Sequence, residues 1–340
     1  MVSWETFLRL TAEKEETMKA AVLHKFGKAP RYEDFADPTP GQDEIVIQVK
    51  AVALENIDRA MAKGTHFSTR QFLPQLPAIP GSDGIGQTED GRLIGFGGMR
   101  PPYGSMAERA VIPAAYQIPI PDGVDAVTAA AAPSSTLTAL FPLKWGAKLQ
   151  PGETVLVNGA TGFAGRLAIQ VAKLLGAGRI VGTGRDAAAL QSLRALGADD
   201  VIDLKQSLDR LAKAFKDAAG EAGYNVILDF LWSRPTETLV KTLVPDKLAF
   251  ARGRIRLVQI GEAAGPAITL SADALRTSGL EIIGGGAGLT PEAIAEGTTQ
   301  VWDWIKAGKV RAEVEAVPLK DVERAWNRAD LHGKRIVLIP

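Results

Sequence analysis

Residues 154–165 read TVLVNGATGFAG. The run Thr154–Asn158 is almost wholly apolar, which is typical of a buried strand in a parallel sheet. It leads into the spacing G-x-x-G-x-x-G at Gly159, Gly162 and Gly165, followed by an apolar helical pattern over 163–175. Glycines let a backbone turn sharply and approach a pyrophosphate, and the start of a helix offers N–H groups to phosphates. The stretch therefore predicts a dinucleotide-binding loop; the alternative is a tight strand-to-helix turn without a ligand.

The end of the next predicted strand indicates which dinucleotide is bound. NAD-binding proteins place an acidic residue about 20 residues past the loop, where it holds the ribose hydroxyls. Here that position is Gly184, and Arg185 follows it. A glycine leaves room for a 2′-phosphate and an arginine pairs with it, which favours NADPH over NADH. Asp186 could hold a ribose instead, but it directly precedes a predicted helix at Ala187–Leu196, where capping is the favoured role.

Strand and helix patterns alternate from about residue 127 to residue 284. This alternation predicts a parallel sheet with helices on both faces. Further buried strands are expected at 179–183, 225–230, 255–260 and 280–283. Before this region the chain shows short alternating runs broken by Pro and Gly, and after it we expect helices at 298–307 and 321–329 and a strand at 335–339. A length of 340 residues suits two domains.

Composition excludes several classes of site. Lys+Arg and Asp+Glu are both 39, cysteine is absent, and there are three histidines. Disulfides, thiol nucleophiles and cysteine zinc sites are therefore excluded, and we expect no nucleic-acid partner. We also expect no membrane span, no secretory signal and a cytoplasmic location. Residues 1–17 read as a short amphipathic helix, either a genuine extension or the product of an upstream start codon.

Several motifs in order along the chain resemble the medium-chain dehydrogenase/reductase superfamily, in its zinc-independent quinone oxidoreductase-like branch. The resemblance covers nearly the whole chain from Met18. The segments that carry it are Met18–Ala20, Ala51–Asp58, Pro80–Gly84, Gly104–Glu108, Leu137–Ala139 and Gly333–Lys334.

The resemblance implies two domains, a substrate cleft between them, and a homodimer. After the extension 1–17, residues 18–127 and 287–340 would form a GroES-like β-barrel catalytic domain. Residues 128–286 would form a Rossmann domain with a doubly wound parallel sheet that binds NADPH. In relatives of this branch a small Gly-rich turn is common where Trp232-Ser233-Arg234-Pro235 stands, so this segment would narrow the cleft.

Departures from zinc-dependent relatives point to chemistry without a metal. Those relatives carry Cys where Asn56 stands, Gly-His-Glu where Gly81-Ser82-Asp83 stands, and a four-cysteine lobe that is missing here. Without a Lewis acid, alcohol oxidation is difficult. Hydride reduction of a small electrophile remains feasible, because the developing oxyanion needs only hydrogen-bond donors and a proton. We therefore expect a quinone or an α,β-unsaturated carbonyl as acceptor.

Three catalytic candidates follow from the resemblance. His66 stands where many relatives have a tyrosine and is a candidate proton donor; alternatively it is a surface-loop histidine. Asn56 is expected to position the substrate or the nicotinamide ribose, or else to be a buried structural amide. Tyr103 is either a substrate contact or an aromatic lid. Asp58 is expected to be a turn or capping residue rather than a catalyst.

The cofactor-binding candidates combine the loop with strand ends and two distant residues. Their alternatives are ordinary core packing or, for the lysine, solvation. They are Asn56, Thr138, Gly159, Thr161, Gly162, Phe163, Ala164, Thr183, Gly184, Arg185, Phe230, Ile260, Gly261 and Lys334.

Two other functions compete with this hypothesis, and a zinc alcohol dehydrogenase is disfavoured. An enoyl-thioester reductase would need a basic patch for a CoA or carrier-protein arm. Arg252, Arg254 and Arg256 recur with period two, which indicates such a patch or a solvated sheet edge. A non-catalytic NADPH-binding protein is the other alternative.

Overall fold

The computed structural model describes residues 16–245 and 253–340. The expected extension 1–17 therefore lies, apart from its last two residues, outside the described residues. The chain divides into two compact units. The first comprises Met1–Ala131, Val314–Arg328 and Arg335–Pro340, and the second comprises Ala132–Glu313 and Ala329–Lys334.

The first unit is built on a mixed sheet of seven strands. Their order is β14-β15-β3-β4-β5-β7, with β6 paired to β3, while β1 and β2 form a separate antiparallel pair. The strands are β1 (Thr17–Val22), β2 (Arg31–Ala36), β3 (Glu44–Ala53), β4 (Asp83–Gln87), β5 (Leu93–Gly97), β6 (Arg109–Pro113), β7 (Gln117–Pro119), β14 (Val314–Pro318) and β15 (Arg335–Ile339). The helices are α1 (Asn56–Lys63), α2 (Thr69–Phe72) and α10 (Val322–Trp326), the last preceded by a 3₁₀ turn at Leu319–Asp321. In β3, Val46 is 41% exposed and Ile47 is 1% exposed, as the period-two alternation requires.

The second unit contains a six-stranded parallel sheet in the order β10-β9-β8-β11-β12-β13. Its strands are β8 (Thr154–Asn158), β9 (Arg179–Gly184), β10 (Asp200–Asp203), β11 (Val226–Asp229), β12 (Ile255–Gln259) and β13 (Leu280–Gly284). Its helices are α4 (Phe163–Leu174), α5 (Ala187–Leu196), α6 (Leu208–Ala219), α7 (Ser233–Leu243), α8 (Ala272–Thr277) and α9 (Pro291–Lys306). The predicted doubly wound sheet is confirmed. The strand order reverses between β8 and β11, and open sheets of this kind bind ligands beyond the carboxyl ends of the strands at that point.

The central strand β8 is buried on both faces. Val155 and Val157 pack in one apolar cluster with Leu167 of α4. Leu156 packs in a second cluster with Phe215 of α6. Because neighbouring residues of a strand face opposite sides of the sheet, both sets must be apolar, which explains the continuous run in the sequence.

The unit boundaries differ from the sequence-based boundaries at the second crossing. The chain passes from the first unit to the second between residues 131 and 132, close to the expected 127 and 128. It returns to the first unit between residues 313 and 314, rather than between 286 and 287 as expected. The reason is α9, whose Val301 and Trp304 belong to the same apolar cluster as Val155. The segment 329–334 also returns to the second unit.

A long apolar helix links the two units in sequence. It is α3 (Ala126–Phe141), which continues as a π-helical turn at Pro142–Gly146. By length and composition these 21 residues could cross a membrane. Half of their most apolar 18-residue stretch is buried inside the protein. The expectation of no membrane span stays a prediction. Core helices of soluble proteins meet the same criterion, so the finding is weak evidence for a span.

The period-two arginines lie neither on a sheet edge nor in a free basic patch. Strand β12 is paired on both sides, to β11 and to β13. Arg256 is half-buried and forms an ion pair of 2.5 Å with Glu153, while Arg254 pairs with Glu281 at 2.5 Å. The basic patch is therefore wrong for these two residues, and so is the sheet edge, although Arg254 is solvated, with 74% of its side chain exposed. Arg252 lies outside the described residues.

Candidate functional site

The glycine-rich loop follows β8 at the switch point of the sheet. Gly159 has a φ of +96°, a conformation that favours glycine. Its N–H donates to the Thr183 hydroxyl at 2.9 Å, and the N–H of Ala160 donates to the Thr183 carbonyl at 2.8 Å. Helix α4 then starts at Phe163, with Gly162 as an N-cap that supplies no side-chain hydrogen bond. The first turn of such a helix presents N–H groups suited to an anion.

The third glycine of the motif is required by close packing. A Cβ on Gly165 would lie 2.4 Å from the Gly159 carbonyl oxygen and 2.7 Å from the Ala160 Cα. Any side chain at this position would push α4 away from the loop. The structure thus supports the predicted reason for the G-x-x-G-x-x-G spacing.

The region expected to choose between NADPH and NADH lies beside this loop. A Cβ on Gly184 would lie 2.2 Å from Cγ2 of Thr161, so the threonine occupies the place of an acidic side chain. Arg185 is exposed, and its guanidinium has no hydrogen bond or ion pair among the described residues. Asp186 accepts a 2.8 Å hydrogen bond from the N–H of Ala189, which confirms its predicted capping role.

The segment Gly333–Lys334 reaches the same loop from the far end of the chain. Gly333 has a φ of +87°, and a Cβ there would lie 2.8 Å from the Thr161 carbonyl oxygen and 2.4 Å from Cδ of Arg166. Lys334 is exposed, and its ammonium group has no partner within 16–245 and 253–340. Gly184 and Gly333 both lie against Thr161, and each is followed by a cationic residue without a partner among the described residues. These residues are Arg185 and Lys334.

The strand-end candidates lie on the same edge of the sheet. The N–H of Phe230 donates to the Asn158 carbonyl at 3.0 Å, and the N–H of Ile260 donates to the Asp229 carbonyl at 2.8 Å. A Cβ on Gly261 would lie 2.8 Å from the Phe230 carbonyl oxygen, so only glycine fits there. In α3, the Thr138 hydroxyl donates to the Ser134 carbonyl of its own helix at 2.9 Å.

The three catalytic candidates belong to the first unit. Asn56 is exposed and opens α1, so it is not a buried structural amide. The Tyr103 hydroxyl donates to the Asp37 carbonyl at 3.4 Å, and its ring lines a small apolar cavity with Met61 and Phe72.

His66 is half-buried and its ring has a defined proton arrangement. The backbone N–H of Ser68 donates to Nδ1 at 3.3 Å, and the Ser68 hydroxyl lies 2.7 Å from the same atom. A backbone N–H can only donate, so Nδ1 accepts and a neutral His66 carries its proton on Nε2. This ring can therefore donate a proton from Nε2.

An acidic cluster at the start of α1 was not expected from the sequence. The carboxylate of Asp58 accepts a 2.7 Å hydrogen bond from the N–H of Glu55, as part of a capping box that confirms the predicted capping role. Burial, and then the charge of Glu55, raises the pKa of Asp58 to about 8. Arg335 forms an ion pair with Glu55, with 3.5 Å between Nη2 and Oε1. Desolvation by surrounding atoms, and then Glu55, raises the pKa of Asp83 to about 6, although part of that residue is exposed at the surface.

Comparison with known proteins agrees with this geometry. Residues 164–296 match a family model described as zinc-binding dehydrogenase. A quinone oxidoreductase of Pseudomonas aeruginosa is 26% identical over 297 residues, covering 83% of this chain and 86% of that protein. A trans-enoyl reductase of Aspergillus terreus is 26% identical, covering 82% and 79%. The solved quinone oxidoreductase of Thermus thermophilus, studied also in complex with NADPH, is 29% identical with a TM-score of 0.74, covering 95% of this chain and all of that one.

The comparisons support a place for this chain in the medium-chain dehydrogenase/reductase superfamily, in its quinone oxidoreductase-like branch. The matched family model carries zinc binding in its description. The residues of this chain that match it, 164–296, include no histidine, and the whole sequence has no cysteine. Among the described residues no group of three or more His, Asp or Glu side chains is placed to hold a metal ion.

Two sets of polar residues near the site escaped the sequence analysis. The first is Glu55, the partner of the predicted capping residue Asp58, and its N-cap-to-N3 spacing from Asp58 was a usable signal for the capping box. The second is Asn158, Asp229 and Thr236, which are wholly buried beneath the loop. Asn158 and Asp229 are polar residues at the carboxyl ends of otherwise apolar strands, and that position could have identified them.

Proposed function

We propose that this protein is an NADPH-dependent oxidoreductase that reduces a small electrophilic acceptor, a quinone or an α,β-unsaturated carbonyl, without zinc. The observation that carries the proposal is the exposed Arg185, which has no partner among the residues that the structure describes and follows Gly184, where Thr161 excludes an acidic side chain. A free guanidinium in that position favours a 2′-phosphate. The relative from Thermus thermophilus, which was studied with NADPH, supports the same cofactor.

Each part of the loop has a role in this proposal. The N–H groups at the start of α4 would hold the pyrophosphate, Arg185 would pair with the 2′-phosphate, and Lys334 would add a second cation. Bound NADPH supplies the hydride. Phe230, Ile260 and Gly261 lie at the strand ends that would receive the nicotinamide half.

The acceptor needs a proton after hydride transfer, and His66 is the favoured donor. Its Nε2–H is free to donate because Nδ1 is occupied as an acceptor from Ser68. The Tyr103 hydroxyl already donates to the Asp37 carbonyl, so it serves better as a wall of the apolar cavity. Asn56, exposed at the start of α1, is available to hold the substrate or the ribose.

An enoyl-thioester reductase is the second candidate. The similarity to a trans-enoyl reductase favours it. The arginines expected to bind a charged carrier arm count against it, since Arg254 and Arg256 are both engaged in ion pairs. The third candidate, a non-catalytic NADPH-binding protein, would bind cofactor and reduce nothing.

Calorimetric titration with NADPH and NADH tests the cofactor assignment. The wild type should bind NADPH more tightly, and Arg185→Ala should weaken NADPH binding about 10- to 100-fold while leaving NADH binding unchanged. Arg210→Ala, at an exposed arginine of α6, is the matched control and should bind like the wild type. Equal affinity for both cofactors would contradict the assignment.

A panel of acceptors then separates the three candidates. We expect NADPH oxidation with quinones or enones that is unaffected by prior treatment with a chelator. Turnover of enoyl thioesters alone would favour the second candidate, and cofactor binding without turnover would favour the third.

A further inference from the structure

Four polar side chains form a buried cluster beneath the glycine-rich loop. They are Asn158 at the end of β8, Thr183 on β9, Asp229 at the end of β11 and Thr236 on α7. All four are fully buried, with 0% exposure. Polar groups at this depth are stable only when their atoms are hydrogen-bonded, so the arrangement of bonds identifies what the cluster holds. We call it the polar cluster.

Asp229 is its centre. Its Oδ1 accepts hydrogen bonds from the N–H groups of Leu231 at 3.0 Å and Trp232 at 3.1 Å, and from Asn158 Nδ2 at 3.0 Å. Its Oδ2 accepts from the Thr236 hydroxyl at 2.6 Å. Four donors satisfy this buried carboxylate, and such charge-assisted bonds are among the stronger ones in proteins.

The other side of the polar cluster reaches the loop. Asn158 Oδ1 accepts from the Thr183 hydroxyl at 2.8 Å, and the same hydroxyl oxygen accepts from the N–H of Gly159 at 2.9 Å. A continuous series of hydrogen bonds therefore runs from Gly159 through Thr183, Asn158 and Asp229 to Trp232.

The turn at the far end of this series is strained. Trp232 has φ 58° and ψ −167°, a region populated almost only by glycine, and Ser233 also has a positive φ of 56°. The Trp232 indole packs partly against the apolar cluster that contains Phe215, so it anchors the turn to the protein interior. Strained backbone persists only where its surroundings hold it, and here the N–H of Trp232 is held by Asp229.

We propose that the polar cluster is a positioning device, which ties the glycine-rich loop to the Trp232–Ser233 turn so that both borders of the nucleotide site are set together. Thr236 is a positioning residue that acts through Asp229 rather than by touching the cofactor. The proposal rests on the proposed function only for the identity of the ligand, because the bonds exist within the protein itself.

Hydrogen exchange of the full-length protein without cofactor tests the coupling directly. Thr236→Val keeps the shape of the side chain and removes the hydroxyl. We expect peptides covering 158–165 and 230–236 to exchange about tenfold faster in this variant. Thr236→Ser keeps the hydroxyl and should restore slow exchange in both.

Thr238→Val is the matched control on the same helix. Thr238 is also buried, but its hydroxyl donates to the Arg234 carbonyl at 2.9 Å, outside the polar cluster. Both peptides should exchange as in the wild type. Faster exchange at 230–236 alone in Thr236→Val would overturn the coupling, because the loop would then be independent of the turn.

The reverse experiment begins from the loop. Thr183→Val removes the hydroxyl that bridges Gly159 and Asn158, so exchange should rise at 230–236 although the substitution lies on β9. This variant also keeps the proposal testable if Thr236→Val fails to fold. Unchanged exchange at 230–236 would overturn the proposal.

Titration with NADPH links the device to binding. We expect Thr236→Val to raise the dissociation constant about tenfold and Thr238→Val to change it less than about twofold. Equal affinity of the two variants would overturn the positioning role. If the wild type binds no NADPH, the proposed function fails, while the exchange measurements still decide the coupling.

Discussion

Gly184 carries no side chain because the methyl and hydroxyl groups of Thr161 fill the place where one would project. The contact reaches from β9 to the glycine-rich loop, so a residue that looks permissive in the sequence is sterically required. The absence of an acidic side chain at this position is therefore built into the packing of the loop, and Arg185 follows as the free charge.

Gly184→Asp should lower both stability and cofactor affinity. The added Cβ would lie 2.2 Å from Cγ2 of Thr161, and overpacking of this kind costs about 1–3 kcal/mol. Thermal unfolding measures the loss, and Thr161→Ala in the same chain should recover part of it. Gly253→Ala, where no atom of residues 16–245 or 253–340 lies within 4 Å of the new Cβ, should leave the melting temperature unchanged. An unchanged melting temperature in Gly184→Asp would contradict the steric argument.

Asp58 predicts a pH dependence of folding. Burial, and then Glu55, raises its pKa from 3.8 to about 8, so the folded protein holds a proton that the unfolded chain releases. Its stabilising contribution is complete below pH about 4 and is lost as the pH rises towards about 8. Asp58→Asn keeps an oxygen for the N–H of Glu55 and removes the charge. The free energy of unfolding of the variant should therefore exceed that of the wild type by more than about 1 kcal/mol at pH 8. The two values should be equal near pH 4.

Denaturant unfolding at several pH values measures this difference. Asp209→Asn, at an exposed first-turn carboxylate of α6, is the control and should follow the wild-type profile. If Asp58→Asn were less stable than the wild type at high pH, the charged carboxylate would stabilise the folded state, which would contradict this prediction.

Among the elements, β12 and its two neighbouring strands show how pairing changes the meaning of a charged pattern. The side chain of Arg256 is 13% exposed, and that of its ion-pair partner Glu153 is 19% exposed. The Arg256 guanidinium also donates to the Ala147 carbonyl at 2.7 Å. Arg254, just before the strand, is 74% exposed beside Glu281. Two arginines two residues apart therefore differ in their surroundings, since Arg256 is half-buried between elements and Arg254 is solvated.

Truncation of the two arginines should cost different amounts of stability. Arg256→Ala leaves the half-buried Glu153 without its ion-pair partner and should cost about 1.5–3 kcal/mol. Arg254→Ala removes an exposed pair and should cost less than about 1 kcal/mol. Denaturant unfolding of both variants measures the difference, and equal losses would contradict the role assigned to burial.

At the level of the whole molecule, the parallel sheet ends in an exposed apolar edge. Strand β13 pairs only with β12 among the described strands, and its Ile282 is 39% exposed. An uncovered apolar edge invites pairing with another chain, which supports the homodimer implied by the resemblance.

Ile282→Lys should convert a dimer into a monomer. A lysine on an edge strand opposes pairing with a second copy of the sheet. Light scattering of the purified protein measures the mass. Leu275→Lys, at a residue of α8 that is 50% exposed, should remain dimeric. A monomeric wild type would contradict the homodimer.

The sequence by itself determined the parts of this protein that depend on neighbouring residues. The strand–loop–helix unit of 154–165, the parallel alternation and the capping role of Asp186 follow from local pattern, since periodicity and backbone conformation act over a few residues. Arg185 was identified for the same reason, by its position at the end of a strand. The proton donor, the acceptor and the dimer stay predictions.

Only the tertiary structure decided which distant residues meet. It placed Gly333 against Thr161, paired Arg256 with Glu153, assigned α9 to the second unit and joined Asn158 to Asp229 beneath the loop. No local pattern carries this information, because each contact depends on how whole strands and helices pack. Burial then gives the contact its chemical meaning, as it does when it raises the pKa of Asp58.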